Sequence, residues 1–148
     1  MAKRKTKEKK EEKKDNVIIL SGKRKTAIAK AAIKQGTGII RINKKPIDLF
    51  PYFQRLVLLE PIRIAEEVLK QSPNFDINVN VKGGGRESQA EASRLAIAKA
   101  LVSFTKNIDL KKAYLAYDRS LLVADVRRRE SYKPGDSKAR AKRQKSYR

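Results

Sequence analysis

The sequence predicts a mixed α/β fold on three observations: an alternating apolar pattern, an apolar stripe at helical spacing, and a long middle segment whose composition differs from both ends. Phe75, Ile77, Val79 and Val81 alternate with polar residues, which is the period of a strand with one buried face. Residues 89–104 place apolar side chains along one side of a helix. Strand and helix are therefore both specified within one middle segment.

Charge is large and unevenly distributed along the 148 residues. The chain holds 37 Lys and Arg against 16 Asp and Glu, a net charge of +21, which favours an anionic partner because self-repulsion opposes compaction. Residues 1–16 and 127–148 are basic and nearly free of large aliphatic side chains, so they cannot bury enough apolar surface to fold alone. We expect a Lys/Glu-rich disordered extension over 1–16, one globular domain over 17–126 and an extended basic tail over 127–148.

Three more strands are predicted from short apolar runs. Residues 17–20 and 38–42 are rich in β-branched side chains, and residues 121–126 form a similar run late in the domain. Residues 43–45 predict a turn, because an Asn and two Lys precede Pro46, which restricts the chain that follows.

Three helices are predicted, and two of them carry terminal signals. Pro61 suits a first helical position, so the first helix is expected to begin there and to end at Ser72-Pro73. Ser88 and Glu91 match a capping box, which predicts the start of the second helix. The third helix, over residues 109–114, is short.

Residues 26–34 fit two different periods. One set of apolar positions between Ile28 and Ile33 has helical spacing, and another between Ala27 and Ile33 alternates as in a strand. The alanine content favours a helix. The pattern alone leaves both structures open.

The residue types exclude several kinds of catalytic site. The chain has no Cys and no His, which removes disulfides, thiolate and imidazole metal sites, and Ser-His or Cys-His nucleophilic pairs. Gly22-Lys23 does not belong to a nucleotide-binding phosphate loop, because Val17 and Arg24 stand where Gly and Ser or Thr are needed. We expect no catalytic residue, no metal and no cofactor.

Apolar runs are short throughout the sequence. No run of signal-peptide length follows the basic start, and none approaches the length of a membrane span. We therefore expect no membrane partner, and a protein that stays in the cytoplasm or moves to a nucleus.

Two loops of the middle segment are candidates for phosphate binding. Lys23, Arg24 and Lys25 place three cations on one turn, which indicates a basic patch, although a solvated charge run has the same sequence. Gly83-Gly84-Gly85 leads into a helix at Arg86, and glycines let a backbone approach an anion at the free N–H groups of a helix N-terminus. The alternative is a connection that only lets a strand turn into a helix.

The C-terminal stretch carries spaced cations that suit an extended chain lying along a polyphosphate. Arg can fork onto a phosphate through two donors, Lys acts as a point charge, and Tyr132 and Tyr147 could stack on bases. A solubilising tail is the alternative, but such a tail would not need so much Arg. The tail residues expected to bind RNA are Arg127, Arg128, Arg129, Lys133, Lys138, Arg140, Lys142, Arg143 and Lys145.

Several motifs, in one order, resemble a known family. Residues 22–27, reading GKRKTA, and residues 43–46 are similar to two of its turns, and residues 81–101 are similar to its glycine-rich loop and helix. Residues 125–135 and the last five residues, QKSYR, resemble its tail. The family is ribosomal protein S-nine of the small subunit, and Tyr147 resembles the archaeal and eukaryotic branch.

This resemblance implies a fold. The family forms a two-layer α/β (α+β) sandwich like domain two of ribosomal protein S-five, with a mostly antiparallel sheet and helices on one face. In that fold residues 26–34 form a strand, so we expect a strand there against the helix propensity of alanine.

The resemblance also implies a function in translation. Family members are structural constituents of the cytoplasmic ribosome that bind ribosomal RNA of the 3′ major domain, in the head of the small subunit, beside neighbouring head proteins. Their tail reaches the P-site tRNA, and by motif this contact carries over to Ser146, Tyr147 and Arg148. The residues of the globular part that we expect to bind ribosomal RNA are Lys23, Arg24, Lys25, Lys44, Lys45 and Arg86, with backbone contacts from Gly83, Gly84 and Gly85.

Two rival functions have to be weighed. A DNA-compacting protein would carry a similar charge, because phosphate neutralisation is independent of sequence. An enzyme on a related scaffold is conceivable because fold does not fix function, and a catalytic metal would need clustered carboxylates. Asp118 and Asp125 come nearest to a pair, but each lies close to an arginine, Arg119 and Arg127, so we expect structural ion pairs instead.

Overall fold

A five-stranded sheet forms the framework of the domain, seen in a computed structural model that describes residues 17–70 and 74–132. The strands are β1 (Ile18–Arg24), β2 (Ala27–Gln35), β3 (Ile40–Ile42), β4 (Lys45–Pro46) and β5 (Phe75–Lys82), in the order β1-β2-β5-β3-β4. Three neighbouring pairs are antiparallel, whereas β3 and β5 are parallel. A parallel pair needs a long crossover connection, and the segment between β3 and β5 provides this connection, which contains a helix.

The segment with two possible periods is strand β2. Ala27, Ala29, Ala31 and Ile33 are fully buried on one face, while the residues between them point to the other face. β2 pairs with β1 on one side and with β5 on the other. Two ladders of backbone hydrogen bonds and burial against a helix thus outweigh the helix propensity of its alanines.

One helix lies directly on one face of the sheet, and two more pack beside it. The three helices are α1 (Tyr52–Leu69), α2 (Arg86–Thr105) and α3 (Ile108–Tyr117). Helix α2 packs on β1, β2 and β5, α1 packs on α2, and α3 packs on α1. The buried Tyr114 hydroxyl of α3 donates to the carbonyl of Pro61 at 2.6 Å, and burial raises the pKa of this tyrosine. The expected mixed fold, with mostly antiparallel pairing, is confirmed in the described residues.

Sheet and helix approach each other very closely at Gly22. A Cβ atom at this position would lie 2.2 Å from the carbonyl oxygen of Ala92 and 2.7 Å from the backbone nitrogen of Ala96. Both distances are far below van der Waals contact, so only glycine lets α2 lie directly on β1. This contact fixes the end of β1, from which the basic turn extends.

Helix α1 begins at Tyr52, so the prediction that it starts at Pro61 was wrong. Its buried residues Leu58, Ile62 and Ala65 recur at helical spacing on both sides of the proline. Their burial outweighs the one backbone hydrogen bond that Pro61 removes from the helix interior.

The capping box predicted for α2 was also wrong. The helix begins at Arg86 with Gly85 as its N-cap residue, and no side chain caps it, so Ser88 and Glu91 lie inside the helix. The Glu91 carboxylate is instead drawn to Arg24 on β1. A contact across the fold therefore overrides the local motif.

Residues 121–126 do not form the predicted late strand. A short 3-10 turn, Arg119–Leu121, follows α3, and the chain beyond it is irregular as far as it is described. Leu121 is buried in the core while Val126 is exposed, so the apolar residues of this run do not share a strand face. The third helix is confirmed, with the Asn107 side chain accepting from the backbone N–H of Asp109 at 2.8 Å.

Some expectations concern residues that the structure does not describe. These are the disordered extension over 1–16, the tail beyond Tyr132, and the helix stop at Ser72-Pro73. Helix α1 ends at Leu69, with Lys70 in a left-handed backbone conformation. Within the described residues, no helix combines the length and the apolar character that crossing a membrane requires.

Candidate nucleic-acid interface

Three basic loops meet at one end of the sheet. The register pairs Arg24 with Ala27 across the β1–β2 turn and Ile28 with Lys82 at the end of β5. The end of β3 lies beside them, since Ile42 pairs with Val79. The β1–β2 turn, the β3–β4 turn and the loop from β5 to α2 therefore project in the same direction.

The first loop is the tight turn between β1 and β2. Lys25 has a left-handed backbone conformation, with φ of 51°, which the turn imposes. Lys23 and Lys25 are exposed, and neither forms an ion pair within the described residues. Both ammonium groups are therefore free to meet an anion.

Arg24 differs from the two lysines beside it. Its guanidinium is half-buried and forms ion pairs with Glu91 of α2 and with Asp125, beyond the last helix. The Arg24 side chain thus ties β1 to α2 and to the start of the tail. Its charge is partly neutralised inside the protein, so a positioning role fits it better than the direct RNA contact expected from sequence.

Asp125 sets how the chain leaves the domain. One carboxylate oxygen accepts from the backbone N–H of Arg127 at 2.7 Å, and the other accepts from Arg127 Nε at 2.8 Å. Arg128 Nη1 donates to the carbonyls of Asp125 and Arg127, and the Arg129 guanidinium lies 4.5 Å from the ring centroid of Tyr132. The Arg127 side chain is 82% exposed, so it is available to a phosphate despite its pairing.

Two glycines of the loop from β5 to α2 pack closely against the β1–β2 turn. Gly83 and Gly84 have φ of +76° and +70°, and a Cβ on Gly83 would lie 2.6 Å from the carbonyl oxygen of Thr26. Gly85 faces open space at the N-terminus of α2, where no side chain caps the helix. The first two glycines are thus needed for the connection, and Gly85 leaves the helix N–H groups open beside the exposed Arg86.

The β3–β4 turn is held to β5 by one side chain. Asn43 and Lys44 both have positive φ, as a tight hairpin turn requires. The Asn43 side chain accepts from the backbone N–H of Val81 at 2.8 Å and donates to the Val81 carbonyl at 3.2 Å. These bonds extend the β3–β5 ladder and present the exposed Lys44 and Lys45 beside the glycine loop.

Together these loops form a surface that we call the basic end. Its exposed cations form no ion pair within the described part of the chain, and all were proposed from sequence except Lys82. Lys82 could have been found, because it continues the outward-facing alternation of β5 after Asn78 and Asn80. The basic end comprises Lys23, Lys25, Lys44, Lys45, Lys82 and Arg86.

The remaining predicted site residues lie in the tail. Arg127, Arg128 and Arg129 are described and exposed, next to Arg24 at the basic end. The others lie outside the described residues, so their roles stay predictions. They are Lys133, Lys138, Arg140, Lys142, Arg143, Lys145, Ser146, Tyr147 and Arg148.

The two aspartates considered for metal binding form ion pairs. Asp125 pairs with Arg127 as expected, whereas Asp118 pairs with Arg94 of α2 at 3.0 Å and not with the adjacent Arg119. Burial alone would raise the pKa of Asp118. Hydrogen bonds from Ser120 and the pairing with Arg94 outweigh this effect, so the net pKa is lowered. No group of acidic side chains suited to a metal ion occurs among the described residues.

Comparison with known proteins identifies relatives over most of the chain. A sequence profile of the family described as Ribosomal protein S9/S16 matches residues 22–148. Small ribosomal subunit protein uS9 of Methanococcus maripaludis is 52% identical over 135 residues, which cover 89% of this chain and 98% of the relative. The protein of the same name from Methanococcus vannielii is 49% identical over the same shares of both chains.

Proposed function

The chain belongs to the ribosomal protein S9 family, and from this premise we propose that it is a structural constituent of the small ribosomal subunit. In this role the basic end and the tail contact ribosomal RNA, and the last residues contact tRNA in the P site. The observation that carries the proposal is the gathering of unpaired cations from three separate loops at one end of the sheet.

Contact at the basic end is made mainly with phosphates. The side chains there are lysines and one arginine at strand ends, on tight turns and at the start of α2, and the uncapped α2 N-terminus adds backbone N–H donors. Paired RNA has a major groove too deep and narrow for side chains, so shape and backbone contacts dominate its recognition. The basic end therefore supports positioning on folded RNA and not the reading of a base sequence.

The tail continues from the same surface. Arg24 and Asp125 hold the exit of the chain beside the β1–β2 turn, and Arg127 to Arg129 begin the basic stretch there. Cations spaced along an extended segment can follow an RNA backbone, and such a segment orders on binding. We assign ribosomal RNA to the tail cations up to Lys145.

The final three residues are assigned to the P-site tRNA. Arg148 would add a positive contact to a phosphate, and Tyr147 offers a ring for stacking. Phosphate contacts carry no direct sequence information, so this end stabilises any P-site tRNA without reading its anticodon.

The partners follow from the same assignment. They are the RNA of the 3′ major domain in the subunit head, the neighbouring head proteins and the P-site tRNA, all within the cytoplasmic ribosome. Membership in a family of ribosomal proteins is consistent with a role without catalysis.

Deletion of residues 146–148 tests the assignment to tRNA. Small subunits are reconstituted with the full-length protein or with the truncated protein, and the dissociation of P-site tRNA is measured on each. We expect normal sedimentation of the subunits and about tenfold weaker tRNA binding, the effect of losing one charge-assisted contact of roughly 1.4 kcal/mol.

A second truncation provides the control. Removal of the basic residues Lys3, Arg4 and Lys5 at the other end of the chain takes away three positive charges, against one for residues 146–148, so it is a stringent control for total charge. We expect this variant to hold P-site tRNA as the full-length protein does. Equal tRNA affinity for all three proteins would refute the assignment, as would subunits that fail to assemble without residues 146–148.

A further inference from the structure

The sheet face opposite the helices is open. Alternation along the strands turns Lys23, Lys30, Lys34, Arg41 and Lys82 to this side, while the residues between them pack under α2. The register places them on four neighbouring strands. Within the described residues no helix packs over them, and we call this surface the open face.

Charge on the open face is almost entirely positive. Lys23, Lys30, Arg41 and Lys82 are exposed and form no ion pair with any described residue. The carboxylate on the same side is Asp76, whose Oδ1 accepts from the backbone N–H groups of Thr37 at 2.9 Å and Ile39 at 3.0 Å. Asp76 is thus engaged by the loop after β2 and leaves most of the cations uncompensated.

These cations are spaced over an area that suits a nucleic-acid backbone. Lys23 and Lys82 stand on either side of Ile28 in the register, so about 10 Å separates their strands. Lys30 and Lys34 lie about 13 Å apart along β2. A sheet surface of this extent can contact several phosphates at once without ordering any loop.

We propose that the open face seats a paired segment of RNA, in a contact that begins at Lys23 and Lys82, which the open face shares with the basic end, and extends to Lys30 and Arg41. The inference rests on the proposed function and assigns a further surface to the same partner. Asn78, Asn80 and Ser21 stand among the cations and can bond to ribose hydroxyls, which paired RNA displays in its wide minor groove. The outward positions of β1, β2, β3 and β5 carry no aromatic side chain, so the stacking platform that unpaired bases require is missing from these strands.

Charge argues against the other occupants of this face. The segments of the chain outside the described residues are themselves rich in Lys and Arg, so they complement a cationic surface poorly. A second copy of the chain would present the same sign. An acidic protein would complement the charge, and the experiment separates it from RNA.

Three double variants, each exchanging one Lys and one Arg for Gln, test the proposal. The face variant is Lys30→Gln with Arg41→Gln, the loop variant is Lys25→Gln with Arg86→Gln, and the control variant is Lys111→Gln with Arg63→Gln, two exposed positions on α3 and α1. Binding of the full chain to a 20-base-pair RNA duplex and to a 20-nucleotide oligouridine is measured at low salt. Thermal unfolding confirms that each variant is folded.

For the face variant we expect about tenfold weaker binding to the duplex and little change in binding to oligouridine. The slope of log affinity against log salt concentration for the duplex should be smaller by about 2, one unit for each lost phosphate contact. Duplex affinity equal to that of the control variant would overturn the inference, as would equal losses on both RNAs. Subunits that fail to take up the face variant although its duplex binding is intact would point to an acidic protein and overturn it too. Failure of the proposed function shows separately, as unchanged RNA binding by the loop variant.

Discussion

At the scale of single residues, Asp76 organises the turn between β2 and β3. Its Oδ1 atom accepts from the backbone N–H groups of Thr37 and Ile39, and the Thr37 hydroxyl lies 3.4 Å from the same oxygen. The hydrogen bond from Ile39 lowers the pKa of this carboxyl, burial opposes the shift, and the bond from Thr37 and the nearby Lys34 lower it further. The ionised form is therefore the one that the folded protein holds.

This shift predicts how stability depends on pH. Because the native pKa of Asp76 lies below its unfolded value of 3.8, its contribution is fully present above that value and is lost as the pH falls through the native pKa. In the Asp76→Asn variant the oxygen acceptor remains but the titration is gone. We expect the free energy of unfolding to fall less between pH 5 and pH 2.5 in this variant than in the wild type, by urea unfolding. The same acid sensitivity in both proteins would contradict the role given to Asp76.

Single residues are also where sequence reasoning about the site reached its limit. Lys23, Arg24 and Lys25 are three adjacent cations, and composition gives no ground to separate them. The structure separates them, because it pairs Arg24 with carboxylates and leaves the two lysines unpaired within the part of the chain that it describes. The partners of Arg24 are distant in sequence, since Glu91 is 67 positions away. Which cations face solvent is decided by such contacts, and a single sequence does not contain them.

At the scale of elements, strands with one buried face were predicted well. The alternation from Phe75 to Val81 became β5 with little change, because every second residue enters the core. The start of α1 was predicted wrongly, because no capping side chain marks it in the sequence. The helix extends before Pro61 because its apolar residues are buried on both sides of the proline. The β2 segment could not be assigned by pattern, because alanine suits both periods and only the two neighbouring strands decide it.

Contact between β1 and α2 leads to a prediction about Gly22. The Gly22→Ala substitution adds a Cβ that meets the α2 backbone at 2.2 Å, so helix and sheet must move apart. We expect a loss of about 3 kcal/mol in the free energy of unfolding, at the upper end of the usual range for overpacking. Gly85→Ser is the matched control, since a Cβ there meets nothing within 4 Å, and we expect a change within about 0.5 kcal/mol. Equal effects of the two substitutions on urea unfolding would show that β1 and α2 do not need this close approach.

At the scale of the whole molecule, charge is segregated. Glu60, Glu66 and Glu67 on α1 and Asp109 on α3 lie among cations such as Arg63 and Lys111, whereas the outward positions of the described strands hold five cations and one carboxylate, Asp76. Composition predicted an anionic partner, and loop motifs predicted most of the basic end. The open face was not predicted, because it exists only once the register brings residues of β1, β2, β3 and β5 side by side.

This segregation predicts a steep dependence of RNA binding on salt. Each phosphate that a cation neutralises releases a counterion, so six to ten contacts lower the affinity ~10³-fold or more between about 50 and 200 mM salt. We expect this drop for the full chain with a transcript of the 3′ major domain, measured by fluorescence anisotropy at several KCl concentrations. The loop variant should have a slope smaller by about 2, and the control variant should keep the wild-type slope, because its cations lie on the helical side. A flat response, or the same slope change in both variants, would mean that total charge and not the arrangement of these cations binds the RNA.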